Sequence, residues 1–124
     1  MDWKIASDIK KELEKVAPRL DMPYISLDDV YCFRSYGSTS RAIARIWSLP
    51  RIWQMALKVN PGYCLEVISE RFDKMSQEEQ TKTLIHELMH IPKTFSGALV
   101  PHKGRYHKIN RRAVEKIYAN ITWR

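Results

Sequence analysis

The chain has 124 residues and a formal net charge of +7, with 21 lysines and arginines against 14 aspartates and glutamates. Its length predicts a single domain over residues 1–124 and excludes a multidomain enzyme, while its apolar content of 44% excludes a disordered chain. No apolar run approaches the roughly 20 residues that span a bilayer, so we expect no membrane-spanning segment and no membrane partner.

The composition also indicates a compartment. The charged residues 1–4 are not followed by the apolar run of a secretory signal, so we expect a cytoplasmic protein. In that reducing compartment Cys32 and Cys64 should be free thiols, and their aromatic and aliphatic neighbours favour core packing over a metal site. The basic charge favours anionic partners, including nonspecific binding of nucleic acid, although the charges are dispersed along the chain.

The first predicted element is an amphipathic helix over residues 3–16, which Pro18 ends. Apolar side chains recur at steps of three and four residues, and lysines and glutamates occupy the opposite side. We expect this apolar stripe to face the core; it consists of Ala6, Ile9, Leu13, Val16 and Leu20.

Residues 23–72 are richer in aromatic and β-branched side chains, which favour strands. Residues 30–34 and 42–47 are predicted strands, and the polar turn between them indicates a hairpin. Residues 50–57 are ambiguous, because one or two helical turns fit them equally well. A third strand is predicted over residues 63–69, directly after an Asn-Pro-Gly breaker.

Two helices are predicted in the C-terminal half. Ser76 and Glu79 have the spacing of a capping box, so a helix should begin here and continue to Ile91, where the next proline stops it. After a loop over residues 92–101, a last helix is predicted over residues 104–120. The order of elements predicts a small α+β domain. The apolar stripe of the last helix is Tyr106, Ile109, Ala113, Ile117 and Ile121.

One motif dominates the chemistry, the HExxH sequence from His86 to His90. Because four residues turn through about 400° on an α-helix, both imidazoles leave the same face one turn apart. Two nitrogens in this arrangement can bind one Zn²⁺ at about 2.0–2.1 Å. Glu87 lies about 100° round the helix, where it can reach a water on the metal. The sequence therefore predicts a zinc site with Glu87 as general base.

Such a site requires a third protein ligand, and His102 and His107 are the two remaining histidines. The apolar stripe of the last helix, extended back from Tyr106, reaches His102, which would then face the central helix. His107 shares a face with Arg111 instead. We therefore favour His102 as the ligand and keep His107 as the alternative. Tyr106 and His107 are also candidates to stabilise an oxyanion, although Tyr106 suits a core position better.

Three stretches resemble a known family. Residues 65–72, 86–97 and 101–106 closely resemble the phage-type metallopeptidases, a family of small zincin-like proteins. The Phe-Ser-Gly loop after the HExxH motif and the later His-x-Gly-Arg run carry this resemblance beyond the motif itself, and residues 42–53 match more loosely. The resemblance implies a minimal zincin-like domain in which the HExxH helix carries the active site.

A more distant resemblance concerns the third ligand. SprT-like zinc proteases place a histidine after HExxH, then a glycine, then an aromatic residue four positions beyond the histidine. His102, Gly104 and Tyr106 are similar to this arrangement, except that the glycine does not directly follow the histidine. Carried over by position, the resemblance implies that His86, His90 and His102 bind zinc.

The resemblance also bears on the substrate. In zincins a strand near the active-site helix pairs with the substrate backbone, and the strand predicted over residues 63–69 is the candidate, with an ordinary inner strand as the alternative. The leading hypothesis is thus a zinc-dependent metallopeptidase acting on a protein or peptide substrate. The alternative is a catalytically weak or inactive zinc-containing binding module, whose basic surface binds nucleic acid and includes Arg105, Lys108, Arg111 and Arg112.

Overall fold

The computed structural model describes residues 1–104 and 108–123. The described residues form four strands and five α-helices, so the predicted α+β class is confirmed. The strands are β1 (Asp2–Ile5), β2 (Val30–Tyr36), β3 (Ala44–Ser48) and β4 (Tyr63–Ile68). The helices are α1 (Ser7–Val16), α2 (Arg51–Leu57), α3 (Ser69–Phe72), α4 (Gln77–Leu88) and α5 (Arg111–Ala119). None of these helices is both long and apolar enough to cross a membrane.

The four strands form one mixed sheet in the order β1-β2-β4-β3. Strand β4 pairs in parallel with β2 and antiparallel with β3, while β1 pairs antiparallel with β2. The predicted hairpin between the second and third strands is therefore wrong, because β4 lies between them. A polar turn shows where the chain changes direction, but it does not show which strand becomes the neighbour.

The predicted N-terminal helix begins later than expected. Residues 2–5 form the edge strand β1, and helix α1 begins only at Ser7. Polar and apolar side chains alternate from Asp2 to Ile5, which is the period of a strand. The helical period begins at Ala6, and all five residues of the predicted stripe are buried.

The core lies between one face of the sheet and helices α1 and α4. Alternate residues of β2 and β4 reach this face, including Cys32 and Leu65, and they meet Leu13 of α1 and Leu84 of α4. Cys32 is buried here as a free thiol whose pKa is raised to about 11 by burial, as expected for a packing residue. Cys64 is also free and half-buried, on the opposite face of the sheet.

Helix α4 positions the HExxH motif. The predicted cap is present, because the Ser76 Oγ accepts a hydrogen bond from the Glu79 backbone N–H at 3.2 Å. The helix ends at Leu88 rather than at Ile91, since the next turn tightens and the His90 N–H donates to the Glu87 carbonyl three residues back.

The last helix is shorter than predicted. Helix α5 begins at Arg111, where the Asn110 side chain caps it by accepting from the Ala113 N–H at 2.9 Å. Before that point the Ile109 N–H donates to the His102 carbonyl at 2.7 Å, and Lys103 bridges to Lys108, so these residues are not helical. The rest of the predicted segment, residues 105–107, lies outside the described residues.

Candidate metal centre

Three histidines from two parts of the chain meet at the end of α4. His86 lies in the last turn of the helix, His90 lies in the tight turn after it, and His102 comes from the loop before α5. Each offers one ring nitrogen, and these three atoms lie within 4.8 Å of one another. The Nε2 atoms of His86 and His102 are 3.2 Å apart. The three side chains could therefore hold a metal ion.

The distance between the His86 and His102 nitrogens fits a tetrahedral metal. Two nitrogens that bind one Zn²⁺ tetrahedrally at 2.0–2.1 Å lie about 3.3 Å from each other, close to the 3.2 Å between His86 and His102. Three imidazoles leave a fourth position for water or substrate, which is the donor set of catalytic rather than structural zinc. The three histidines therefore fit a zinc ion.

A backbone contact orients the most buried of the three rings. The Nδ1 of His90 lies 2.6 Å from the Val100 carbonyl, and the Val100 N–H donates back to the His90 carbonyl at 2.7 Å. A carbonyl can only accept, so the Nδ1 carries the proton and the Nε2 lone pair is left for a metal. Such an outer contact is the usual way to orient a metal-binding imidazole.

Partial burial makes His86 a suitable ligand. The pKa of His86 is lowered, first by burial and then by the neighbouring His90 and His102. A lowered pKa keeps the imidazole neutral near pH 7, and only the neutral ring has a lone pair to offer a metal.

Glu87 lies beside the histidines in a different environment. Its side chain lines the same pocket, and the residue is only 7% exposed. Burial raises the pKa of this carboxyl to about 7. A carboxyl with a pKa near the ambient pH exchanges protons efficiently, which is the property required of a general base or acid.

The histidines open onto a pocket of about 670 Å³. Residues 41–46, at the start of β3, form one wall, and helices α4 and α5 form the other. The charged groups between the helices are paired: Lys82 contacts Glu78 and Glu115 at 2.8 Å each, and Arg111 contacts Glu79 at 3.3 Å. The contacts of Lys82 with Glu115 and of Arg111 with Glu79 tie α5 to α4.

Tyr63 of β4 holds the loop that carries Val100 through two hydrogen bonds. The buried Tyr63 hydroxyl donates to the Ala98 carbonyl at 2.7 Å and accepts from the Gly97 N–H at 2.9 Å. Gly97 has a φ of +92°, and an added Cβ would collide with the Gln54 side chain and the Leu49 carbonyl. The glycine is therefore required for both its backbone angle and the close approach of α2.

The structure brings together His86, Glu87, His90 and His102, the residues singled out in the sequence. The argument that led to His102 was wrong, because His102 lies in a loop and not on an extended helix stripe. The alternative ligand His107 and the oxyanion candidate Tyr106 lie outside the described residues.

Sequence reasoning missed the residues that support the site. Val100, Tyr63 and Gln54 act through backbone contacts of the loop, and such contacts leave no periodic signal. The only available signal was the glycine of the Phe-Ser-Gly loop, which marks a place where the backbone must turn or approach closely.

The strand predicted to pair with substrate is an inner strand. Residues 63–68 form β4, which is hydrogen-bonded to β2 on one side and to β3 on the other. The strand that borders the pocket is β3, at the edge of the sheet.

Comparison with known proteins gives one match. A family model described as "putative phage metallopeptidase" matches residues 1–123. No curated protein and no solved structure matches the chain significantly.

Proposed function

Because the chain belongs to the phage metallopeptidase family, we propose that it is a zinc-dependent peptidase with His86, His90 and His102 as metal ligands. The observation that carries the proposal is the convergence of three imidazole nitrogens within 4.8 Å, beside a buried glutamate. When bound, zinc would polarise the scissile carbonyl and lower the pKa of a water molecule.

Glu87 is the general base in this proposal. Its carboxylate oxygens accept a proton from the attacking water and pass it to the nitrogen of the leaving amine. Burial favours this exchange, because the neutral acid is not strongly disfavoured at neutral pH. The contact between His90 and the Val100 carbonyl holds one ligand in place during the reaction.

The edge strand β3 is the proposed docking strand for the substrate backbone. The Ile68 N–H donates to the Ile43 carbonyl, so the antiparallel ladder directs the backbone groups of residues 43, 45 and 47 toward β4. The backbone groups of Ala44 and Ile46 therefore point outward along the pocket. An extended peptide can add to this edge as a further strand, which supports peptides as the substrate class.

The test replaces the proposed base. We expect Glu87→Gln to keep zinc but to lower the hydrolysis rate roughly 100- to 10,000-fold, since it removes one proton-transfer group. Zinc content by elemental analysis and cleavage of a fluorogenic peptide library measure the two effects separately. Glu78→Gln is the matched control, because Glu78 is on the same helix but faces solvent.

Each outcome has a distinct meaning. Equal hydrolysis by Glu87→Gln and wild type would contradict the proposed mechanism. Zinc binding by a wild type that cleaves no peptide would support the alternative, a zinc-containing binding module. If nucleic acid is the ligand of that module, its affinity should fall steeply as the salt concentration rises.

A further inference from the structure

Helix α2 exposes apolar side chains to solvent. Gln54 is its buried residue, and the Gln54 Nε2 donates to the carbonyls of Leu49 and Ser96 at 2.8 Å each. The large apolar side chains of the helix and the nearby Val59 are 47% to 74% exposed. We call these five residues the apolar patch: Ile52, Trp53, Met55, Leu57 and Val59. A helix that is apolar yet exposed indicates an interaction surface.

Charge is distributed unevenly around this patch. Residues 30–65 contain no aspartate or glutamate, although the chain has 14. Arg51 and Lys58 stand at the two ends of α2, and neither has an ion-pair partner among residues 1–104 and 108–123. The patch therefore combines exposed apolar side chains with a cation at each end of α2, and Asp29 lines the same pocket as Lys58 and Val59.

This combination selects among the possible partners. A second copy of the chain would bring another net charge of +7 to the contact. A surface that binds nucleic acid combines cations with interleaved aromatic rings. Residues 52–57, in contrast, carry no charge. An anionic lipid surface offers an apolar layer for the patch and negative headgroups for the two cations.

We propose that the apolar patch is an interfacial anchor that docks this protein on an anionic membrane surface. Ile52, Trp53 and Met55 enter the boundary between headgroups and acyl chains, and Arg51 and Lys58 remain at the phosphates. The seven residues of α2 span about 10 Å, one third of the hydrocarbon layer. The protein therefore lies on the bilayer and does not cross it.

This proposal departs from the expectation that the protein has no membrane partner. That expectation considered only apolar runs long enough to span a bilayer, and in the sequence α2 is a short, ambiguous segment. Its exposure becomes evident only when the fold shows that Gln54, and not an apolar residue, faces the domain.

Vesicle co-sedimentation tests the proposal. We expect the protein to bind vesicles of equal parts phosphatidylcholine and phosphatidylglycerol, and to bind vesicles of phosphatidylcholine alone far more weakly. Ile52→Ser should weaken binding roughly tenfold, because it removes about three buried carbons from the lipid contact. Arg51→Glu should weaken binding to the anionic vesicles and reduce its dependence on salt.

Ile5→Ser is the matched control. Ile5 is 82% exposed on β1 and Ile52 is 74% exposed, so both changes remove the same surface group. Ile5 pairs with Phe33 of β2, and β1 and β3 are the two opposite edge strands of the sheet. Circular dichroism checks that all three variants keep the fold. We expect Ile5→Ser to bind vesicles as wild type does.

Three results would overturn the proposal. The first is no binding to anionic vesicles at low salt. The second is equal binding by Ile52→Ser and wild type, which would reduce the effect to general electrostatic adsorption. The third is self-association in analytical ultracentrifugation that Ile52→Ser abolishes, with no vesicle binding, which would assign the patch to a second copy. None of these measurements depends on peptidase activity.

Discussion

At the scale of single residues, His102 is the member of the proposed metal centre that does not come from the HExxH segment. His86 and His90 are placed by α4 and the turn that follows it, whereas His102 is placed by a loop. The His102 carbonyl accepts from the Ile109 N–H at 2.7 Å, which fixes its backbone just ahead of α5. The third nitrogen therefore comes from a loop that is separate from α4 in sequence. With His86 and His90 it forms a set of three possible ligands.

Removing this third nitrogen should weaken zinc binding strongly. Loss of an outer partner of a ligand costs roughly 10- to 100-fold in affinity, so we expect His102→Ala, which removes a ligand, to cost more than roughly 100-fold. Competition with a chromophoric chelator measures the affinity. His107→Ala is the control and should bind zinc as wild type does. A large loss in His107→Ala and none in His102→Ala would show that the ligand set is wrong.

Glu66 gives a prediction for stability and pH. Its side chain is 1% exposed, and it accepts from the Arg45 Nε at 2.9 Å and the Trp47 Nε1 at 2.8 Å. Burial alone would raise the pKa of Glu66, but contacts with Ser35, Arg45 and Trp47 outweigh it, and the pKa lies below its ordinary value of 4.5. The charged form is therefore the one that the folded state favours.

Glu66→Gln should lower the free energy of unfolding by about 1 to 3 kcal/mol at neutral pH, because it weakens a charge-assisted network. A lowered pKa means that the wild-type advantage is complete above pH 4.5 and shrinks as the pH falls below it. Urea unfolding on both sides of pH 4.5 measures this, with the exposed Glu14→Gln as control. If wild type remains more stable than Glu66→Gln by the same free energy at low pH, Glu66 does not have a lowered pKa.

At the scale of elements, the loop over residues 95–100 links the sheet to the metal centre. Tyr63 on β4 binds the backbone of Gly97 and Ala98, and two residues later the Val100 carbonyl contacts His90. The sheet thus restrains the position of His90 through the backbone of residues 97–100.

Tyr63→Phe tests this link. Loss of the hydroxyl leaves the Gly97 N–H and the Ala98 carbonyl without their partner, so stability should fall by about 1 to 3 kcal/mol. Zinc affinity should also fall roughly tenfold, as for other outer partners of metal ligands. Thermal unfolding and chelator competition give the two values, and the exposed Tyr31→Phe is the control. A loss of stability with unchanged zinc affinity would show that the loop does not position His90.

The elements also show how much of the structure could be predicted from the sequence alone. Helix α4 and its Ser76 cap were predictable, since the capping box and the HExxH spacing are both local signals. The order of strands was not, because β4 enters between β2 and β3 through contacts far apart in sequence. The non-helical conformation of residues 108–110 was missed, because the helical spacing of apolar residues in the sequence is overridden by the backbone contact between Ile109 and His102.

At the scale of the whole molecule, the fold separates two surfaces. The histidines and Glu87 face a pocket bounded by the edge strand β3, which leaves its outer backbone groups available to a peptide. The ion pairs of Lys82 with Glu115 and of Arg111 with Glu79 line the same pocket. The apolar patch of α2 lies on another part of the surface, within a stretch that has no acidic residue. The proposed docking sites for substrate and for a membrane therefore lie on different elements.

The central claim is that this fold holds one zinc ion at His86, His90 and His102. Elemental analysis of the protein, purified without an affinity tag and without added metal, tests it most directly. The account predicts about one zinc per chain, with almost none in the His86→Ala variant. A wild type that contains no zinc, and takes up none on reconstitution at neutral pH, would contradict it.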